Sequence, residues 1–162
     1  MKKIIPINPY LESINYGYYH GYALFDKKNI EVAYPFGFGL SYTSYAYSNL
    51  QIAEPNVTTN SNIQATIDIE NTGDMAGEEI VQLYVGFKNS AVDRPVKLLR
   101  AFDKVTLQAG EKKAVPLQVS AQDLAWYNPE TQKWEIEVMD YELYVGGSSA
   151  STDLLTGNFK LE

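Results

Sequence analysis

Several residue types that build common catalytic and binding sites are absent or scarce. The 162 residues contain no cysteine and only one histidine, His20. Disulfides, thiol nucleophiles and cysteine or multi-histidine metal centres are therefore excluded. No apolar run approaches the roughly 20 residues that span a bilayer. We therefore expect a soluble protein with no membrane partner.

Positive charge is also in short supply. The chain carries 13 lysine and arginine residues against 20 acidic residues, a formal net charge of −7. Such a field repels phosphate backbones, so we expect no nucleic-acid partner. The first ten residues contain two lysines but no apolar stretch of signal-peptide length, and we expect no signal peptide there.

Aromatic residues divide the chain into two parts. Nine of the 13 tyrosines lie in the first 47 residues, where glycine and proline interrupt every helical period. We interpret this part as an irregular lead-in. From about Ser44 onward, apolar residues recur at every second position between turn residues, which is typical of half-buried strands. The length corresponds to about one domain, and we expect it to begin here.

The alternation predicts seven or eight short strands. In residues 62–70, Ile63, Ala65, Ile67 and Ile69 alternate with polar residues, so this strand can cover a core on one side. The other predicted strands are residues 45–52, 79–87, 98–107, 112–119, 134–138, 141–145 and 155–161. With no convincing helix, the pattern indicates an all-β fold, an antiparallel immunoglobulin or fibronectin type III-like β-sandwich.

Acidic residues cluster around two turns. Glycosidase chemistry needs two carboxylates about 5 to 10 Å apart. The clustered residues, however, sit in loops or at alternate positions that face solvent. We interpret them as a solvated rim, with a weak calcium site as the alternative. The residues are Glu70, Asp74, Glu78 and Glu79 at one turn, and Glu135, Glu137, Asp140 and Glu142 at the other.

Other candidate groups have competing interpretations. His20 could carry protons, but no serine or carboxylate close in sequence completes a catalytic pair, so we expect it to pack among tyrosines. Trp126, Tyr127 and Trp134 could stack on sugar rings, but we expect the two tryptophans to be core residues. Arg94 could pair with a carboxylate across a domain interface or be an exposed loop charge.

The order of short motifs indicates a family. Residues 34–43 (YPFGFGLSYT) resemble the FPFGYGLSYT segment that precedes the C-terminal fibronectin type III-like domain of glycoside hydrolase family 3, the family of many β-glucosidases. Residues 77–85 (GEEIVQLYV) are similar to that domain's G-x-E-V-V-Q-L-Y-V. Upstream, residues 21–26 (GYALFD) resemble the GYRYFD run that ends the family's α/β sandwich domain, with Ala23 where arginine is common. Further matches are NTG at 71–73, RPVKLL at 94–99, FDKV at 102–105, GE at 110–111, Trp126, Tyr127, Trp134 and the segment 141–149.

The resemblance implies an enzyme whose catalytic residues lie elsewhere. Family members use a retaining mechanism on β-glycosidic bonds, with an aspartate nucleophile in a Ser-Asp-Trp-like motif on an N-terminal barrel and an acid/base residue on the middle domain. No Ser-Asp-Trp occurs in these 162 residues. We therefore expect a non-catalytic C-terminal portion of a β-glucosidase, with no catalytic, cofactor-binding or metal-binding residue and no cofactor. Its compartment stays open, a periplasmic or secreted parent enzyme being one alternative.

The resemblance also suggests a domain plan. Residues 1–33 would be the remnant of the preceding domain, residues 34–43 a connecting strap, and residues 44–162 the fibronectin type III-like domain. In the strap, Pro35, Gly37 and Gly39 set the turns. We expect the domain to pack on the catalytic domains of the parent enzyme through interdomain docking residues, which are Tyr34, Phe36, Phe38, Leu40, Tyr42 and Arg94.

Two other function classes remain open, an independent carbohydrate-binding module and a stand-alone protein-interaction domain. The apolar residues of the lead-in would normally be buried in the preceding domain of the enzyme. It could move freely, fold back on the sandwich or self-associate with a second copy. We expect contacts with the sandwich or a neighbouring chain to order it, and residues 34–162 to fold without it.

Overall fold

The computed structural model describes residues 17–162, so the expectations for residues 1–16, including Tyr10 and Tyr16, lie outside it. The described lead-in contains one helix, α1 (Gly21–Lys27). The sequence predicts no helix there, and this is a correction. Helices this short gain their stability from packing rather than from propensity. Within residues 17–162, no helix is long and apolar enough to cross a bilayer.

The rest of the described chain forms a β-sandwich, which confirms the predicted fold class, and its pairing is antiparallel except where residues 56–57 run parallel to residues 160–161. A three-stranded sheet has the order β1-β3-β6, and a five-stranded sheet has the order β2-β10-β9-β4-β5. A two-stranded hairpin, β7-β8, stands apart from both. The strands are β1 (Tyr45–Ile52), β2 (Asn56–Val57), β3 (Asn62–Asn71), β4 (Gly77–Gly86), β5 (Lys97–Leu107), β6 (Lys112–Ser120), β7 (Trp126–Asn128), β8 (Lys133–Glu135), β9 (Asp140–Gly146) and β10 (Leu155–Leu161).

The core lies between the two larger sheets. Ile63, Ile67 and Ile69 of β3 are fully buried, as are Val81 and Leu83 of β4. These residues occupy alternate positions, so the pleat directs them all to the same side of their strand. Among residues 17–162, the core cluster contains none that precedes β1.

Strand β4 is buried on both faces from Val81 to Gly86. Its second face carries Gln82 and Tyr84, which are 3% and 0% exposed. A strand with both faces buried must be covered by another layer. Part of that layer is the segment that precedes β1, and this positions the candidate site.

Candidate docking surface

The strap, residues 34–43, has a fixed backbone. Phe38 N–H donates to Pro35 O (3.1 Å), and Ser149 N–H donates to Phe36 O (2.8 Å). Gly37 has a φ of +80°, and a Cβ there would collide with the Gln82 side-chain amide. Glycine is therefore required by both the turn and the close approach. The strap is tied to β4 and to the loop that follows β9.

The Gln82 amide holds the layer beneath the strap together. Its Nε2 donates to Gly147 O (2.5 Å), and its Oε1 accepts from Tyr84 Oη–H (2.6 Å). Burial raises the pKa of Tyr84, which keeps this hydroxyl a donor. The VQLYV motif thus divides its residues between two tasks. Val81, Leu83 and Val85 form the core, and Gln82 and Tyr84 support the lead-in side.

The side chains of the strap face outward. We call Tyr34, Phe36, Phe38, Leu40 and Tyr42 the strap face. Leu40 and Tyr42 are 94% and 96% exposed, and Tyr34 is 74% exposed. Phe36 stacks on Tyr22 at 4.9 Å between ring centroids, and Phe38 lies 5.4 Å from Tyr34, yet both stay about half exposed. Clustered exposed apolar side chains of this kind mark interaction sites.

Helix α1 folds back on the five-stranded sheet. Lys97 Nζ lies 2.6 Å from Asp26 Oδ2, and the Lys97 side chain is 4% exposed. Tyr22 Oη accepts from Leu99 N–H (2.9 Å). Lys27 forms an exposed ion pair with Asp93. These contacts show how the described part of the lead-in is ordered by the sandwich.

Arg94 lies inside the domain. Its guanidinium stacks over the Phe87 ring at 3.7 Å, donates to Leu124 O (2.8 Å) and lies 3.4 Å from Glu137 Oε2. The side chain is 4% exposed. This differs from both expectations for Arg94, because its carboxylate partner belongs to the same domain. Arg94 is therefore not part of the strap face.

Several acidic residues of the expected solvated rim have specific partners instead, and Glu137 and Glu79 are two of them. Glu137 pairs with Arg94 and also accepts from Ser90 Oγ–H (2.7 Å). Glu79 accepts from Tyr47 Oη–H (2.8 Å), and burial raises the pKa of Glu79 despite this hydrogen bond. Within residues 17–162, no group of three or more histidine, aspartate or glutamate side chains could hold a metal ion.

The expectation of two core tryptophans is wrong for Trp134. Its side chain is 71% exposed, and Tyr127 opposite it is 49% exposed. The reason is that β7-β8 is a separate hairpin outside the sandwich, so its alternation does not point into the core. Trp126 is half-buried. His20, expected among tyrosines, is exposed at the residue before α1.

Comparisons with known proteins agree with this architecture. A family model described as "Fibronectin type III-like domain" matches residues 79–149. Thermostable beta-glucosidase B of Acetivibrio thermocellus is 41% identical over 82% of this chain and 18% of its own length. A beta-glucosidase of Kluyveromyces marxianus is 43% identical over 88% of this chain and 16% of its own length. The crystal structure of the Bifidobacterium adolescentis GH3 beta-glucosidase matches with a TM-score of 0.79 at 33% identity, over 87% of this chain and 20% of that one.

The size difference limits what the chain itself contains. It spans about a fifth of the length of the curated relatives it matches. The other four-fifths of those proteins have no counterpart in the 162 residues.

Proposed function

We propose that the strap face docks on the catalytic domains of the parent enzyme, since this chain is the fibronectin type III-like region of a glycoside hydrolase family 3 β-glucosidase. The parent reaction is then the retaining hydrolysis of β-glycosidic bonds, and this region is its non-catalytic support. One observation carries the proposal: five apolar side chains are exposed on a backbone that the sandwich holds in place.

The exposure of these side chains argues that they serve another surface. Leu40 and Tyr42 are more than nine-tenths exposed, so the domain gains almost nothing from burying them. Aromatic and large apolar side chains at the centre of an interface supply most of its binding energy. The strap backbone is already ordered, so docking would cost little additional conformational entropy.

The chemistry of the acidic residues fits a supporting role. Glu79 and Glu137 bind Tyr47 and Arg94 within the domain, and Glu78 pairs with Lys104 at 2.6 Å. We therefore expect the isolated chain not to hydrolyse aryl β-glucosides above background. Turnover that disappears when one of its own acidic residues is substituted would contradict this expectation.

A chimaera tests the docking proposal. In beta-glucosidase B of Acetivibrio thermocellus, the matching region would be replaced by this chain, with and without Leu40→Ser and Tyr42→Ser together. We expect the double substitution to weaken the domain contact by roughly 2–4 kcal/mol. The readouts are the Tm of the chimaera and its half-life for aryl β-glucoside hydrolysis at elevated temperature.

The matched control is Val138→Ser, because Val138 is 64% exposed between β8 and β9 and lies outside the strap face. This substitution should leave the chimaera unchanged. In the isolated chain, all three substitutions should change stability by no more than about 0.5 kcal/mol. Equal Tm values for the chimaera with and without the strap substitutions would refute docking through this face.

A further inference from the structure

A groove of about 870 Å³ lies on the side of the domain formed by β5, the loop before it and the β7-β8 hairpin. Both tryptophans of the chain line it, together with Tyr127. None of the residues that line it belongs to the strap face. The groove is therefore a second feature, distinct from the proposed docking surface.

An aromatic platform forms one wall of the groove. Tyr127 and Trp134 are directly opposite each other in the β7-β8 register, and their ring centroids lie 5.6 Å apart at 67°. With Trp134 71% exposed and Tyr127 49% exposed, ring surface remains open to a ligand. Flat aromatic surface suits the apolar C–H face of a pyranose ring.

The hairpin holds this platform in place. Asn128 Nδ2 donates to Glu135 Oε2 (3.0 Å), and Thr131 Oγ1 donates to Glu135 Oε1 (2.5 Å). Glu130 N–H donates to Asn128 Oδ1 (3.0 Å) and closes the turn. Because the loop is fixed by its own hydrogen bonds, the rings are positioned before any ligand arrives.

Arg100 supplies an unused hydrogen-bond donor beside the platform. Its Nε is buried and has no hydrogen-bond partner in the described part of the chain. Burial and the nearby charge of Arg94 lower the pKa of Arg100. A buried donor without an acceptor costs free energy, so a rotation of the Arg100 side chain that brings Nε to a ligand hydroxyl oxygen in the groove would be favourable. Asp123, exposed at the same groove, can accept from a ligand hydroxyl.

The charges around the groove balance. In the part of the chain that the structure describes, its charged lining residues are Asp93, Arg94, Arg100 and Asp123, two of each sign. Arg94 and Asp93 already have ion-pair partners, which are Glu137 and Lys27. A groove with no net charge and with both donors and acceptors favours a neutral polyhydroxyl ligand over a phosphate or an acidic peptide.

We propose that this groove binds a neutral oligosaccharide, with a sugar ring stacked on the exposed face of Trp134, with Tyr127 contacting the edge of that ring, and with hydroxyls bound by Arg100 and Asp123. The site is non-catalytic, and it would tether a glycan to the domain. The proposal does not depend on docking through the strap face, because the two surfaces share no residue.

Tryptophan fluorescence tests the proposal directly, because the only two tryptophans of the sequence both line the groove. The full 162-residue chain would be titrated with cellotetraose, laminaritetraose and mannotetraose. We expect a saturable change with at least one of them, at a Kd of about 1 mM or tighter. Tetragalacturonate, an acidic tetrasaccharide, should bind more weakly.

Substitutions then locate the site by titration calorimetry. Trp134→Ala and Tyr127→Ala should each weaken binding by roughly tenfold or more, and Arg100→Gln should weaken it as well. Phe102→Ala is the matched control, because this ring is equally exposed on β5 but does not line the groove, and it should bind like the parent chain. Urea unfolding of each variant identifies any that is not folded. If either Trp134→Ala or Tyr127→Ala fails to fold, the other variant still tests the site.

Three results would overturn the proposal. One is the absence of a fluorescence change with all three neutral tetrasaccharides up to about 10 mM. Another is unchanged affinity in the folded Trp134→Ala and Tyr127→Ala variants. The third is tighter binding of tetragalacturonate than of every neutral probe.

Discussion

Arg94 and Lys97 lie three residues apart, yet their buried side chains depend on different parts of the chain. Arg94 pairs with Glu137, and both residues belong to the segment that the family model matches. Lys97 pairs with Asp26 on α1, outside that segment. A buried charge that loses its partner is strongly destabilising. The sandwich is thus complete by itself around Arg94, but around Lys97 it relies on the preceding segment.

The partners of Arg94 and Lys97 show which segments the folded unit includes. The Arg94 guanidinium has a ring, a carbonyl and a carboxylate around it, all supplied by the sandwich and its loops. The layer around Lys97 is completed by α1, which also contributes the Tyr22 hydroxyl to Leu99 N–H. The unit that pairs both buried cations is therefore larger than the fibronectin type III-like segment.

Removing the carboxylate on the Arg94 side should have the largest effect. Glu137→Ala leaves the guanidinium of Arg94 buried without its ion pair and also removes the acceptor of Ala91 N–H (2.8 Å). We expect a loss of about 3–5 kcal/mol in the free energy of unfolding. Equilibrium unfolding in urea measures it, with exposed Glu130→Ala as the control. A loss below about 1 kcal/mol in the free energy of unfolding would show that the Arg94–Glu137 pair contributes little to stability.

Removing the segment on the Lys97 side should have a smaller effect. A chain of residues 34–162 should still unfold cooperatively, because no described residue before β1 belongs to the core cluster. We expect its free energy of unfolding to be lower by about 2–3 kcal/mol than that of the full chain. This loss is smaller than for a charge that stays fully buried without a partner, because water can reach Lys97 once α1 is gone. Failure of this chain to fold would refute its independence.

Substituting Lys97 in both chains sharpens that test. Lys97→Met should destabilise the full chain, where it leaves Asp26 without its partner. In the chain of residues 34–162, the same substitution should be neutral or stabilising, because it removes a charge with no counterpart. Parallel urea unfolding of the four proteins would show the change of sign. The same sign in both chains would contradict our account of Lys97.

Removing a hydrogen bond on the Arg94 side should lower the free energy of unfolding by less than Glu137→Ala or the removal of residues 1–33. Tyr141 Oη–H donates to Glu137 O (2.7 Å), and Tyr141→Phe should cost about 1 kcal/mol near neutral pH. Burial raises the pKa of Tyr141 from 10.0 to about 12. The parent chain should therefore lose stability as the pH rises from 10.0 towards about 12, and its advantage over the variant should shrink. A constant difference across this range would refute the assignment.

The smallest effect is expected at the exposed link between the two regions. Lys27 of α1 pairs with Asp93 beside Arg94, and this pairing lowers the pKa of Asp93 below its ordinary 3.8. The contribution of the pair is present above that ordinary pKa and is lost as the pH falls through the lower, folded value. Asp93→Asn should therefore differ slightly from the parent chain at pH 7 and not in strong acid. High salt should reduce the difference, and salt-independence would argue against an ion pair.

The strands could be predicted because their evidence is local. The predicted bounds of β1 and β10 match those of the structure, and β3 and β6 differ by one residue. The hairpin was harder, because three-residue strands are too short to show alternation. Helix α1 was not predictable from seven residues, since its stability comes from packing on β5.

The candidate site was predictable in part. The strap motif identified Phe36, Phe38, Leu40 and Tyr42 as apolar residues, and their exposure came only from the structure. Alternation placed Glu79 and Glu137 on the polar side of their strands, but it could not show that Tyr47 and Arg94 lie there to bind them. Trp134 was assigned to the core because its hairpin could not be separated from the sandwich in the sequence.

The β-sandwich and the order of the family motifs can be read from the sequence, because strand periodicity and turn residues act over a few positions. Which charges are neutralised, and which aromatic rings stay open to solvent, depends on how the elements pack. Asp26 and Lys97 are 71 positions apart, and Glu137 and Arg94 are 43 positions apart. Such pairs form when the sheets and α1 pack together, and no local pattern specifies which carboxylate meets which cation.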